Sequence, residues 1–287
     1  MPMILSNQHE MQWSSATPGL LIFLLDQNVG DLQPAQRIVD TVNKVIFDAI
    51  LRNCYGDKIK NRCFISLIGY NHNVKELCSG WLEELFENPL RYETLKKKTP
   101  DGAGGICEVD IRRPIWIESL TKGESTNMFG ALQLAKDLAE KWIADNPDGP
   151  APVIINISNG MPFSNEKGVL ECVTECKTIA HSLRSLSCSD GNVLLYNAVF
   201  KSAHSTLIED EKYSTTENFI NDISSNISAL SINRMNIVAC QNDFQLFKTM
   251  QKGYILTNDV FELQKFVHII LEEIFRRHLV TYYMEWR

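Results

Sequence analysis

The residues best suited to bind a ligand are oxygen-bearing side chains that follow two apolar runs of the sequence. Asp26 and Asn28 come directly after the run 20–25, and Asn159 follows the run 153–157. In an open α/β sheet, ligands bind beyond the carboxyl ends of the strands, which meet at one edge. Carboxylate, amide and hydroxyl oxygens are the ligands that hard divalent cations take. The pattern therefore predicts a binding edge that could hold Mg²⁺.

A third polar loop, 123–127, precedes a helical pattern and is expected at the same edge. Two structural interpretations stay open beside metal binding. Asp26 could accept hydrogen bonds from turn amides, and Thr126 could cap the helix that begins near residue 128. An enzymatic interpretation places Asp26 and Glu124 around a divalent ion in a metal-assisted hydrolase. Such an enzyme needs a nucleophile–base pair or further carboxylates, which these loops do not supply.

Unbroken apolar runs alternate with amphipathic segments along the chain. Such runs are typical of strands that are covered on both faces, as in parallel sheets with helical connections. The predicted strands are 20–25, 64–68, 74–78, 153–157, 193–200 and 236–239, of which 74–78 is expected to pair antiparallel. The predicted helices are 35–52, 128–144, 168–186, 217–230 and 260–280. This order predicts a doubly wound α/β sheet.

One domain with an insertion at its edge accounts for this order. The predicted parts are an N-terminal lead at 1–17, a single domain at 18–280 and a C-terminal tail at 281–287. The insertion spans residues 81–118 and includes a helical turn at 81–86, a glycine-rich turn at 101–105 and an edge hairpin within 106–117.

Charge and cysteine usage exclude several classes of protein. The chain has 287 residues, and its 28 Lys and Arg against 35 Asp and Glu give a net charge of −7. Nucleic-acid-binding domains normally need a strongly basic face. The eight cysteines include no Cys-x-x-Cys pair and several lie in apolar runs, which is typical of free thiols in a reducing compartment. No signal-peptide pattern and no membrane-length apolar run is present. We therefore expect a cytoplasmic protein that binds neither nucleic acid nor membranes.

Several segments resemble the von Willebrand factor A (vWA) domains. Asp26-Gln27-Asn28-Val29-Gly30 lies where these domains carry Asp-x-Ser-x-Ser, and Thr126 precedes a segment similar to their second metal-site segment. The stretch 155–162 resembles the strand that normally ends in Asp-Gly. Within the family, the chain is most similar to bacterial TerY-like proteins, over about residues 18–275. The segments that carry this likeness are 88–91, 101–105, 114–118, 197–198 and 253–259.

The resemblance implies a three-layer Rossmann-like fold, with a mostly parallel six-stranded sheet, one antiparallel edge and helices on both faces. It also implies a metal-ion-dependent adhesion site for Mg²⁺, which falls on Asp26, Asn28, Gly30, Thr126 and Asn159. This sequence departs from the family pattern there. Gly30 has no side-chain ligand, Asn28 changes the reach of the oxygen, and Asn159 replaces a carboxylate with a neutral amide. Because a lost negative charge weakens the binding of a divalent ion, we expect a degenerate site.

The function that follows from the resemblance is that of a non-enzymatic module that binds a partner protein at the carboxyl rim of the sheet. The further residues expected at this rim are Gln27, Asp31, Glu124, Ser125, Asn127 and Met161. For a TerY-like protein, the resemblance implies a 2C-type protein phosphatase and a Ser/Thr kinase as partners. The implied setting is a bacterial stress-response or conflict system such as tellurite resistance. The alternatives are a structural subunit of a larger assembly and the metal-assisted hydrolase.

Overall fold

The structure is a computed structural model that describes residues 9, 11–28, 32–100, 102, 105–118, 125–200, 209–226 and 252–275. The strands discussed below are β1 Gly19–Asp26, β2 Cys63–Tyr70, β3 Val74–Trp81, β4 Arg91–Pro100, β5 Ile106–Ile115, β6 Val153–Ser158, β7 Leu194–Phe200 and β8 Tyr254–Thr257. The helices are α1 Leu32–Arg52, α2 Leu82–Glu87, α3 Met128–Asp145, α4 Val169–Ser185, α5 Glu209–Ile223 and α6 Val260–Phe275. Two short hairpins join Cys54–Tyr55 to Lys58–Ile59 and Ser187–Cys188 to Gly191–Asn192.

Six of these strands form the main sheet, in the order β8-β7-β6-β1-β2-β3. All neighbouring strands run parallel except β3, which pairs antiparallel with β2 at the edge. The predicted fold class, with its single antiparallel edge, is therefore confirmed. The central strand β1 is buried along its whole length, which explains why its sequence is an unbroken apolar run.

Two apolar layers cover the two faces of the main sheet. On one face, Leu21 and Phe23 of β1 pack in a cluster that contains residues of α1 and α6. On the other face, Ile22 and Leu24 pack in a cluster that contains residues of α3, α4 and α5. In α3 the buried positions include alanines at four-residue spacing, Ala131, Ala135 and Ala139, which let the helix lie close to the sheet. Residues that alternate along one strand thus hold helices on both sides.

The insertion forms a long hairpin, here called the arm, from β4 and β5. Its two strands pair over ten residues, from Arg91 opposite Ile115 to Pro100 opposite Ile106. The arm is a two-stranded sheet of its own and does not extend the main sheet. The sequence predicted a hairpin only from residue 106 onward. The strand β4 was missed because its charged run Lys96–Lys98 lacks the apolar alternation of a half-buried strand.

Two predicted elements differ from the structure near the end of the chain. The helix predicted at 217–230 begins earlier, at Glu209, and ends at Ile223. It stops there because Ser225 bonds to β7: its N–H donates to the Leu195 carbonyl, and its hydroxyl accepts from the Leu195 N–H. The strand predicted at 236–239 lies outside the described residues, as does the tail 281–287. The sixth strand of the sheet is β8.

The N-terminal segment includes a residue of the core. Trp13 is 4% exposed, and its ring meets the ring of Phe275 edge to face with centroids 6.0 Å apart. The chain before it is held by Asp190, whose carbonyl accepts from the His9 N–H and whose carboxylate accepts from the Met11 N–H at 2.8 Å. Residues 9–17, where described, therefore pack on the domain that was predicted to begin at residue 18.

Among the helices in the described ranges, we find none with the length and apolar character needed to cross a membrane.

Candidate functional site

The carboxyl rim of the main sheet brings the ends of β1 and β6 together. Leu25 pairs with Ile157, so Asp26 and Ser158 end their strands side by side. Asp26 is 2% exposed, and its carboxylate accepts two backbone hydrogen bonds: Oδ1 from the Asn28 N–H at 2.9 Å, and Oδ2 from the Asn159 N–H at 3.3 Å. The structural interpretation of Asp26, as an acceptor for turn amides, is therefore confirmed.

Two side-chain amides connect this carboxylate to the neighbouring loops. The Asn159 Nδ2 donates to the backbone carbonyl of Asn28 at 2.6 Å, and the Asn28 Nδ2 donates to the Thr126 Oγ1 at 3.3 Å. Gly160 follows with φ 130°, a conformation that glycine adopts readily, and turns the chain directly after Asn159. The structure thus brings Asp26, Asn28, Thr126 and Asn159 together, as predicted, through a continuous set of hydrogen bonds.

The electrostatics of the site are those of one buried carboxylate. Burial raises the pKa of Asp26 from 3.8 to about 6, and the N–H groups of Asn28 and Asn159 offset part of this shift. Removal from water disfavours the charged form of a carboxyl group, which explains the direction. At neutral pH the carboxylate is charged, and its hydrogen-bond partners are neutral backbone amides.

The linked set of described residues does not match the requirements of Mg²⁺. Mg²⁺ takes near-octahedral oxygen ligands, typically with one or two carboxylates. Asp26 is the single carboxylate of the linked set, the Thr126 hydroxyl already accepts a hydrogen bond, and the Asn159 amide directs its NH₂ group at a carbonyl. In the described part of the chain, no group of three or more His, Cys, Asp or Glu residues is placed to hold a metal ion. Gly30, the remaining predicted ligand, lies outside the described residues.

The helix cap at the rim differs from the prediction. Asn127, and not Thr126, is the N-cap of α3, because its Oδ1 accepts from the Gly130 N–H at 2.9 Å. Thr126 instead forms an isolated β-bridge with Phe163, which the sequence analysis did not single out. A Ser-Thr-Asn run before a helix offers three candidate caps, and the sequence alone does not choose between them.

The other predicted rim residues have mostly structural contacts. The Gln27 N–H donates to the Tyr70 carbonyl, and Met161 is half-buried against the core. Ser125 is 5% exposed, and its Oγ lies 3.4 Å from the His72 Nδ1. Asp31 and Glu124 lie outside the described residues.

The contact between Ser125 and His72 does not have the geometry of an activated nucleophile. Such pairs lie at about 2.6–3.2 Å, with the base oriented by a third group. Here the separation is longer, and Ser125 is buried. The contact joins the loop before α3 to the loop after β2.

A buried polar seam below the rim was not predicted. The Tyr70 hydroxyl donates to the Asn156 Oδ1 at 2.8 Å, the Asn156 Nδ2 donates to the Asn197 Oδ1 at 2.9 Å, and the Asn197 Nδ2 donates to the Ser224 Oγ at 2.9 Å. Burial, followed by the nearby Asp26 charge, raises the pKa of Tyr70 well above its usual value. The available signal was a single asparagine within each of two apolar strands, β6 and β7.

The exposed part of the rim is apolar and amide-rich. Phe163 is 42% exposed and Phe129 is 37% exposed. The exposed residues Asn127 and Asn159 shortly precede Phe129 and Phe163 along the chain. Uncharged polar groups among exposed aromatic rings are typical of surfaces that bind proteins.

The topology and the rim together settle the fold class. The strand order, the single antiparallel edge and the helices on both faces are those that the vWA resemblance implied. The fold is therefore vWA-like. No protein-family profile and no curated protein matches the chain.

Solved structures that are similar to this chain share little sequence with it. The open conformation of the pilus adhesin SpaC from Lactobacillus rhamnosus GG is similar with a TM-score of 0.52 and 9% identity, over 94% of this chain and 31% of the adhesin. Proximal thread matrix protein 1 from the mussel byssus has a TM-score of 0.46 and 14% identity, over 90% of this chain and 48% of that one. A von Willebrand factor type A protein from Catenulispora acidiphila has a TM-score of 0.45 and 9% identity, over 90% and 43%. The chain thus spans about half or less of the length of these proteins, and the likeness concerns the fold.

Proposed function

We propose that this chain is a non-enzymatic interaction module whose partner protein docks on the carboxyl rim of the main sheet. The observation that carries the proposal is the closure of the rim by neutral side chains. The side chains of Asn28 and Asn159 link the loops around Asp26, so hydrogen bonds hold these loops together. Exposed Phe129 and Phe163 supply the apolar contacts that a protein partner would bury.

The proposal includes a site that works without Mg²⁺. A divalent ion would have to displace the amide donor from the Thr126 hydroxyl, and among the described residues it would meet one carboxylate where the family pattern supplies more charge. We therefore expect recognition to depend on shape and hydrogen bonding, with the rim residues Gln27, Ser125, Asn127 and Met161 as contacts or supports. Asp31 and Glu124, at the same rim by sequence, complete the proposed surface.

The proposed setting is the bacterial cytoplasm, in a stress-response or conflict system of the TerY-like kind, such as tellurite resistance. The partners that fit this setting are a 2C-type protein phosphatase and a Ser/Thr kinase. Support comes from the sequence segments that resemble TerY-like proteins and from the vWA fold itself. One protein with a similar fold is named an adhesin, which fits an interaction role.

The test is capture of partners from the native host, followed by binding of the purified partner. The variants are Phe163→Glu at the rim, Asp26→Asn below it, and Leu51→Glu as a control, since Leu51 is 50% exposed at the far end of α1. Titration calorimetry is carried out in Mg²⁺ and in EDTA. We expect equal affinity in both buffers, loss of binding with Phe163→Glu and no change with Leu51→Glu. Loss of binding in EDTA contradicts the metal-free site, and full binding by Phe163→Glu contradicts the rim.

A second candidate function is that of a structural subunit of a larger assembly. The exposed arm favours it, because a ten-residue hairpin outside the main sheet is a ready contact surface. The mass of the isolated protein in solution, measured by light scattering, separates the two candidates. A stable oligomer supports the structural subunit, and a monomer supports the adaptor.

A further inference from the structure

The arm is held firmly at its base. Asn43 of α1 is fully buried, and its Oδ1 accepts from the N–H groups of Trp116 and Ile117, while its Nδ2 donates to the Ile117 carbonyl at 2.7 Å. The Trp116 indole N–H donates to the Leu85 carbonyl at 2.7 Å. The segment directly after β5 is therefore fixed to two helices, and the direction in which the arm leaves the domain is fixed with it.

In the half of the arm next to its base, a network of ion pairs adds to this anchoring. Arg113 contacts Glu93 across the arm at 2.7 Å and Asp40 of α1 at 3.7 Å. Arg91 contacts Glu93 and Glu118. These hydrogen bonds of charged groups lower the pKa of Glu93. The acidic side chains of this half of the arm are thus paired with arginines.

The outer half of the arm has no cover in the described part of the chain. Ile106 is 74% exposed, Val109 is 45% exposed and Leu95 is 36% exposed. An isolated two-stranded hairpin is marginally stable in water, so a third strand or another surface would stabilise this half. Within the described ranges, β4 pairs with β5 alone, so the backbone N–H and C=O groups of its other edge have no strand partner.

The charge of the arm is opposite to that of the chain. Its strands carry Arg91, Lys96, Lys97, Lys98, Arg112 and Arg113 against Glu93, Glu108 and Asp110, whereas the whole chain has a net charge of −7. Three of the cations are consecutive on β4. Because side chains alternate between the two faces of a strand, Lys96 and Lys98 lie on the same face of this edge. On β5, Asp110 lies opposite Lys96 and Glu108 lies opposite Lys98, and Lys96 contacts Glu108 at 3.6 Å.

We propose that the free edge of β4 binds an extended acidic segment of a partner protein as a third strand of the arm. Main-chain hydrogen bonds to β4 would hold the segment, and its carboxylates would lie beside Lys96 and Lys98 on one face. On the other face, apolar side chains of the segment would pack beside the exposed Leu95. This surface is separate from the rim, and neither proposal depends on the other.

The competing explanation is protection against self-association. Lysines on an exposed edge strand prevent the pairing of two such edges, and in that case no acidic partner is needed. The two explanations differ in what the lysines do: they attract an acidic strand in the first and repel a second copy of the chain in the second.

The test uses the full chain and a fluorescein-labelled ten-residue peptide of alternating Glu and Val, which matches the length of β4. A second peptide keeps the glutamates and replaces two central valines with proline, which cannot complete a strand ladder. Binding is measured by fluorescence anisotropy. The protein variants are Lys96→Ala/Lys97→Ala/Lys98→Ala and, as a matched control, Lys58→Ala/Lys60→Ala/Lys75→Ala, which removes the same charge from exposed positions elsewhere.

We expect the first peptide to bind wild type and the control variant equally, and to bind the arm variant at least about tenfold more weakly. The proline peptide should bind wild type at least about tenfold more weakly than the first peptide, and hydrogen exchange should slow in 91–100 on binding of the first peptide. Equal binding of both peptides overturns strand addition, because charge alone then accounts for affinity. Absence of peptide binding by wild type, together with oligomers of the arm variant in light scattering, overturns the proposal in favour of protection against self-association.

Discussion

The side-chain amide of Asn159 lies at the point where three loops of the rim meet. Its NH₂ group donates to the Asn28 carbonyl, and the Asn28 amide in turn donates to Thr126. A carboxylate at position 159 could not donate the bond to the Asn28 carbonyl, and it would add a second negative charge beside Asp26. The neutral amide therefore suits a rim that is closed by hydrogen bonds, just as a carboxylate suits one that is closed around a cation.

Asn159→Asp should destabilise the protein and create a dependence on divalent ions. The substitution removes a 2.6 Å hydrogen bond and places two carboxylates together, at a cost of about 2 kcal/mol in the free energy of unfolding. Added Mg²⁺ should recover part of this loss in the variant and none in wild type, because the variant has the second carboxylate that Mg²⁺ uses. Urea unfolding in EDTA and in Mg²⁺ measures both effects.

The control for this experiment is Asn165→Asp, an exposed asparagine in the loop that follows β6. It adds the same charge without touching Asn28. A wild-type protein whose unfolding free energy rises in Mg²⁺ would contradict the metal-free rim.

The pKa of Asp26 predicts a pH dependence with a definite sign. Its folded value of about 6 lies above the ordinary 3.8, so folding favours the protonated form. The contribution of Asp26 to stability should therefore be gained as the pH falls from 7 to 5 and lost as the pH rises through 6, with a size of about 1 kcal/mol. Asp26→Asn lacks this titration.

The quantity to measure is the difference in unfolding free energy between wild type and Asp26→Asn, at pH 7 and at pH 5. The difference should shift in favour of wild type at pH 5. The same difference at both values would mean that Asp26 is not buried as the structure shows.

The sequence predicted the meeting of Asp26, Asn28, Thr126 and Asn159 because strand ends in a parallel sheet share one edge. It did not predict which atoms donate and which accept. That choice depends on distances of a few tenths of an ångström between loops, and local sequence patterns do not encode them. Asn127 shows the same limit: it caps α3 although Ser125 and Thr126 are equally suitable by type.

Between the elements, a buried polar contact joins α1 to α6. The His268 Nε2 lies 3.3 Å from the Asp48 Oδ2, and the Arg52 Nη2 lies 3.3 Å from the His268 Nδ1. Since an arginine can only donate, Nδ1 must accept, and the imidazole is neutral with its proton on Nε2. Burial, followed by the charges of Arg52 and Lys44, lowers the pKa of His268 to about 3.

His268 should make the protein less stable in acid. Its folded pKa is depressed below the ordinary 6.5, so the unfolded chain takes up the proton first as the pH falls. The resulting loss between pH 7 and pH 5 is about 2 kcal/mol, opposite in sign to the effect of Asp26. His268→Gln keeps one donor and one acceptor but cannot titrate, so its stability should fall less over this range. Urea unfolding of both proteins at the two pH values tests this, and parallel losses would refute it.

Asn43 should determine how stable the pairing of β4 with β5 is, because it anchors the base of the arm. Asn43→Ala leaves two buried N–H groups and one carbonyl without their partner, at a cost of about 3 kcal/mol. Hydrogen exchange in 91–100 and 106–115 should become faster at the same time, because the base of the arm loses its anchor. Asn165→Ala, at an exposed position, is the control. Destabilisation with no change in exchange of the arm would show that the arm does not depend on this anchor.

The elements that the sequence predicted best are those whose pattern reflects burial on both faces. β1 contains an unbroken apolar run, β6 is apolar except for Asn156 and Ser158, and both proved to be central strands. β4 was missed for the converse reason. It is an exposed strand that forms because it pairs with β5, and the sequence of Lys96–Lys98 alone does not indicate this pairing.

For the molecule as a whole, the boundary of the fold lies before residue 18. Trp13 contributes to the core beside Phe275, at the end of α6, so the two ends of the described chain meet. A chain that begins at residue 18 should be less stable than one that begins at residue 9. The expected difference is about 4 kcal/mol, the usual cost of removing a buried tryptophan side chain.

Trp13→Ala in the full chain is the companion measurement, and it should account for most of that loss. Equal unfolding free energies for the two truncated chains would show that Trp13 is dispensable. The lead at 1–17 was predicted from its position alone, since one tryptophan among polar residues has no periodicity that would mark it as part of the core.

The seam of Tyr70, Asn156, Asn197 and Ser224 has a consequence for folding. Leu, Ile and Val side chains on neighbouring parallel strands are nearly interchangeable, so apolar contacts alone would accept strands that are shifted by two residues. Such a shift moves a strand by about 6.6 Å and would leave the seam's amides buried against hydrocarbon. The hydrogen bonds across β2, β6 and β7 therefore make shifted alignments less stable than the native one. They select one register for a sheet whose apolar residues would accept several.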